Sequence, residues 1–90
     1  MKIKDGFLVR ELADAYVVVP VGQAAIDLRG MITLNHSGAF LWEQLQSAQT
    51  AASLTAALLE TYDVDEATAS ADVARFLELL KTHDLLTDED

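Results

Sequence analysis

The sequence predicts an α+β fold in which a small, largely antiparallel sheet is followed by three α-helices. Three observations predict it. The first half holds short β-branched and aromatic runs separated by turn residues, Tyr16 to Val21 above all. The second half repeats apolar residues at helical spacing, first in Leu54, Leu58 and Tyr62, then in Ala69, Val73, Phe76, Leu77 and Leu80. Between the halves, Asn35, His36 and Ser37 end a strand-like run with residues suited to starting a helix. A chain of 90 residues with 51% hydrophobic composition is expected to form one domain over 1–90, with a real but modest core.

The elements follow in order. Phe7 to Leu12 reads as a strand, with imperfect alternation, and Ala13-Asp14 as a tight turn, since Asp tolerates turn geometry. Tyr16 to Val21 is the strongest strand signal, and Pro20, which lacks an amide donor, places its end or an edge there. Ala24 to Leu28 and Met31 to Leu34 flank Arg29-Gly30, which reads as a hairpin turn. Asn35 or Ser37 caps the first helix, whose buried face is Phe40, Leu41, Trp42 and Leu45. The second helix runs from near Thr50 to Tyr62, with Ala57 on its apolar side. Asp63-Val64-Asp65 interrupts the pattern, and Asp65 caps a third helix that carries Glu66 in its first turn and ends near His83. Leu85 and Leu86 then fold back onto the core.

Composition narrows the function. Formal net charge is −9, from 6 basic and 15 acidic residues. The acids gather at the end: residues 60–90 hold ten of them against Arg75 and Lys81. Nucleic-acid binding needs a positive surface, so nucleic acid is not expected as a partner, whereas a basic peptide or protein suits the charge. The acids also serve as a solvated face that keeps the chain soluble. No apolar run approaches the roughly 20 residues that cross a bilayer, and MKIKDGFLVREL lacks the apolar stretch of a secretory signal. Without cysteine there is no disulfide or thiolate ligand, which is compatible with the cytoplasm. No membrane association and no cofactor are expected.

The catalytic inventory is thin, and no enzymatic activity is expected. His36 and His83 are far apart in sequence, no His/Cys cluster offers a metal site, and no glycine loop cradles a phosphate. His36 reads first as a polar residue at a helix start. Asp63 and Asp65 lack the further oxygen ligands and the central glycine of a calcium loop, so capping explains them better. Trp42 reads as a core plug or as an exposed ligand-binding ring; its apolar neighbours favour the core. Arg75 pairs with Asp72 or Glu78 along the helix, or holds a partner's carboxylate or carbonyl. Asp72, Arg75, Phe76, Leu79 and His83 form a second stripe beside the core stripe, and a helix with two adjacent stripes contacts two things or presents one wide core face.

The pieces VREL, YVVVP, MITLN, the helix with FLW, the turn TYDVD and the helix DVARFLELL, closed by Leu85 and Leu86, stand in an order that resembles the PqqD-like family. One departure is Asp84, where that family often has glycine; Asp reaches the left-handed cap geometry at some cost. The resemblance implies a winged helix-turn-helix-like fold. It further implies a non-enzymatic peptide chaperone, the recognition element of pathways that modify ribosomally made peptides. Such a protein binds the leader region of a precursor peptide by β-strand addition and presents it to a maturation enzyme, a radical SAM enzyme in many cases. Carried onto this chain, Met31, Ile32, Thr33 and Leu34 would be the edge that pairs with the peptide. Asp72, Arg75, Phe76, Leu79 and His83 would form the helix wall of the groove. A winged-helix transcription regulator and a homodimerising interaction module are the alternative readings, and a homodimer is compatible with the first.

Overall fold

A computed structural model of the chain describes residues 1–13, 15–21 and 32–87. In chain order the elements are β1 (Lys2–Ile3), β2 (Phe7–Leu12), β3 (Ala15–Pro20), β4 (Ile32–Leu34), α1 (His36–Gln44), α2 (Ala51–Thr61), α3 (Glu66–Thr82) and β5 (Leu86–Thr87). The fold is α+β, a small antiparallel sheet followed by three helices. The expected turn residue Asp14, the segment Ala24–Leu28, the turn Arg29-Gly30 and Met31 lie outside the described residues.

β2, β3 and β4 form an antiparallel sheet in that order. Its register sets which residues share a face. Val9 lies opposite Val18 and Val18 opposite Ile32; Glu11 lies opposite Tyr16 and Tyr16 opposite Leu34. Cross-strand partners project to the same side, so these residues make one face, and Val18, Ile32 and Leu34 are buried there. Proline ends β3 at Pro20, as its missing donor requires.

The helices cover that face. Each begins with a short polar side chain that accepts an otherwise orphan amide. The Gly38 N–H donates to Asn35 Oδ1 at 2.8 Å, which settles the cap of α1 on Asn35. Thr50 and Ser53 form a reciprocal capping box at α2: the Ser53 N–H donates to Thr50 Oγ1 at 3.0 Å and the Thr50 N–H to Ser53 Oγ at 2.9 Å. The Thr68 N–H donates to Asp65 Oδ1 at 2.7 Å at the start of α3. This bond holds the Asp65 carboxyl below its ordinary value of 3.8.

The core is built from Leu41, Trp42 and Leu45 of the first helical segment, Leu54 and Leu58 of α2, and Ala69, Val73, Phe76, Leu77 and Leu80 of α3. Trp42 is thus a core plug. Leu85 is fully buried behind the end of α3. Asp84 reaches φ 57°, the left-handed geometry that the helix end needs, and its carboxylate lies 2.9 Å from Lys4 Nζ on the surface.

One feature of the fold has no counterpart in the sequence reading. β1 pairs antiparallel with β5, Ile3 opposite Leu86. The Lys4 N–H also donates to the Leu85 carbonyl at 2.9 Å, and the Ile3 N–H to the Leu45 carbonyl at 3.0 Å. Leu86 therefore does more than tuck inward: it is a strand residue. Among the described residues, no helix is long and apolar enough to cross a membrane.

Candidate functional site

β4 is the last strand of its sheet: it pairs with β3 on one side, and no described strand lies on the other. Beside that side opens a groove of about 370 Å³. Its floor is apolar, from Leu34 of β4, Leu41 of α1 and Phe76 of α3, all buried, with Leu79 half-buried above them. Its rim is polar, from Thr33, Asn35 and Ser37 on one side and Asp72 and Arg75 on the other.

The charges at the rim are internally paired. Arg75 Nη2 donates to Asp72 Oδ1 one helical turn away. The Arg75 side chain is nonetheless 78% exposed, so its remaining N–H groups face solvent over the groove. An exposed pair of this kind contributes little to stability, which leaves the guanidinium available to another acceptor.

The predicted site residues divide clearly. Thr33, Leu34, Asp72, Arg75, Phe76 and Leu79 meet in the groove. Ile32 of β4 points into the core at 3% exposure. His83 is the C-cap of α3, half-buried and outside the groove lining. Met31 lies outside the described residues. The sequence reading missed the contribution of α1, where Asn35, Ser37, Gly38 and Leu41 line the groove from the helix start. The signal in the sequence is Gly38. It sits inside α1, and a Cβ added to it would lie 3.1 Å from Asn35 Oδ1 and 3.3 Å from Leu34 Cβ. Glycine allows α1 to start hard against β4, which shapes the groove's end.

His36 faces the other side of α1. Its Nδ1 lies 3.1 Å from the Tyr16 hydroxyl, and the two rings meet edge to face at 5.2 Å. Partial burial, and then the Glu11 carboxylate beside it, raise the Tyr16 hydroxyl above its ordinary value of 10.0. Among the described residues no group of three His, Cys, Asp or Glu side chains is placed to hold a metal ion. The groove therefore offers a backbone edge, an apolar floor and a guanidinium, which is binding chemistry.

Two solved structures share this fold. One is TbiB1 in complex with the TbiA(beta) leader peptide, with a TM-score of 0.73 and 24% identity over 100% of this chain and 99% of that one. The other is a lasso peptide synthetase B1 complexed with the leader peptide, with a TM-score of 0.68 and 19% identity over 93% of each chain. No curated protein matches the chain in sequence. Residues 22–86 match the family described as coenzyme PQQ synthesis protein D, and on that match the chain belongs to the PqqD family.

Proposed function

We propose that this protein binds the leader segment of a ribosomally made precursor peptide as an added strand on β4 and presents it to a modifying enzyme, catalysing no reaction itself. The observation that carries this reading is that, among the described residues, no strand pairs with the second side of β4, whose residues line a groove walled by α3. An open strand edge is a liability in a small domain and is retained where it has a use. Family membership and the leader-peptide complexes of both fold neighbours support the same reading. The modifying enzyme is proposed to be of the radical SAM class that the family resemblance implies.

Strand addition supplies two kinds of contact. Pairing along the three residues of β4 yields about three hydrogen bonds, worth roughly 1 kcal/mol each net. Micromolar affinity needs about 8 kcal/mol, so the larger part falls to the groove. Burying about 200 Å² of apolar peptide surface over Leu41, Phe76 and Leu79 would contribute on the order of 5 kcal/mol before ordering costs. An extended peptide turns alternate side chains toward that floor. Arg75 would hold a peptide carbonyl or carboxylate at the rim.

The test is an amide NMR titration of labelled protein with synthetic leader segments of precursor peptides encoded beside its gene. Shifts gathered on Ile32, Thr33, Leu34, Arg75 and Leu79 are expected. No shift at these residues with any such peptide, at concentrations well above micromolar, would overturn the proposal.

A further inference from the structure

A second hollow, also of about 370 Å³, lies across α1 from the groove. Glu11 and Tyr16 enter it from facing positions on β2 and β3. His36, Phe40 and Glu43 enter it from one face of α1, at spacings of four and three. Tyr62, the C-cap of α2, closes it and meets Phe40 edge to face at 5.5 Å. Nothing in strand addition on β4 uses these side chains.

The lining selects a ligand by its charge. Three phenyl-type rings, Tyr16, Phe40 and Tyr62, surround the hollow beside the His36 imidazole, and the faces of the three carry partial negative charge. Glu11 and Glu43 are exposed, and neither makes an ion pair among the described residues. An anion would be repelled. A purely apolar occupant would be buried against Val9, Ala39 and Phe40, but would strip water from the two carboxylates without replacing its hydrogen bonds. A cation meets both the rings and the carboxylates. Guanidinium fits better than ammonium, because its plane stacks on rings while its N–H fork pairs with a carboxylate. A net charge of −9 draws a positively charged protein surface toward the molecule.

We infer that the hollow between Glu11, Tyr16, His36, Phe40, Glu43 and Tyr62 is a docking socket for an arginine side chain on the surface of a protein partner. It is separate from the peptide groove, so one chain can hold a peptide on β4 and a protein on the far side of α1 at once.

The probe is N-acetyl-arginine N-methylamide, which presents guanidinium as it stands within a chain. It is titrated into the labelled full chain, with the matching citrulline compound as an uncharged control of the same shape. Shifts are expected at the six socket residues, with arginine binding about fivefold tighter than citrulline. The double variant Glu11→Gln/Glu43→Gln changes two exposed side chains, so its spectrum elsewhere should match the parent, and its arginine response should fall about fivefold. Equal responses to arginine and citrulline, or none at concentrations on the order of tens of millimolar, would overturn the inference. So would a lysine compound that binds as well, or free arginine binding about tenfold tighter than the blocked form, which would mark a small-molecule site. Leader-peptide binding is read separately at Thr33 and Leu79, so either proposal can fail without the other.

Discussion

Gly38 controls how closely α1 approaches β4. Gly38→Ala would gain about 1 kcal/mol of helix propensity and lose a similar amount to the tight approach on Asn35 and Leu34, for which overpacking costs roughly 1–3 kcal/mol. Urea denaturation should therefore place Gly38→Ala within about 1 kcal/mol of the parent and Gly38→Leu about 2 kcal/mol or more below it. Thr50→Ala removes one half of the capping box and should cost about 1 kcal/mol in the same assay. Asp65 adds a pH dependence whose sign is fixed. Its folded pKa is depressed below 3.8 by the Thr68 amide, so its stabilisation is present above 3.8 and is lost as pH falls through the lower, folded value. The thermal midpoint of Asp65→Ala should lie below that of the parent at neutral pH, and the gap should shrink once pH falls well under 3.8. The Asp65 cap was legible, and the α1 cap was narrowed to Asn35 or Ser37, because a cap is a local event: a short oxygen-bearing side chain placed just before periodic apolar residues; at Thr50 only the start of the helix was legible, not the capping box. The role of Gly38 was not, because it depends on the Leu34 side chain across the α1–β4 contact.

At the scale of elements, α3 serves the core with one stripe and the groove with the next. Val73, Leu77 and Leu80 are buried in the core, while Asp72, Arg75 and Leu79 turn toward β4, with Phe76 shared between the two. Leu79→Asp should weaken the proposed leader-peptide binding by about tenfold or more, the equivalent of losing one well-buried apolar side chain, with little loss of stability because Leu79 is only half-buried. Leu59→Asp on α2, 37% exposed and outside the groove, is the matched control and should leave binding unchanged. Calorimetric titration with a leader peptide reads both. The two stripes of α3 were legible because a long helix repeats its pattern often enough to be seen. The α1 side of the groove was not, since which residues of a short helix face a neighbour depends on where that helix crosses the sheet. β1 and β5 were hidden for another reason. Each is two residues long, too short to show any alternation, and each finds its partner at the other end of the sequence.

Across the whole molecule, stability rests on a shared leucine-rich interior, with Leu41, Leu45, Leu54, Leu58, Leu80 and Leu85 at most 2% exposed. Leu80→Ala should cost about 2–5 kcal/mol, a large share of the 5–15 kcal/mol typical of a folded domain, and lower the urea midpoint accordingly. The charge of the molecule was legible from composition, and so was the sheet-then-helices order; the separation of two hollows by α1 was not, because it is a product of packing. The β1–β5 pairing has a consequence for the order of assembly. Joining the two ends of an open chain of this length would cost about 4 kcal/mol in loop-closure entropy, far more than two short strands return. Once the three-stranded sheet and the helices have formed, most of that entropy has already been lost, and the ends close cheaply. The pairing of Ile3 with Leu86 should thus be the last to form and the first to open, releasing the Lys4 amide to solvent exchange while the amides of β3 stay protected.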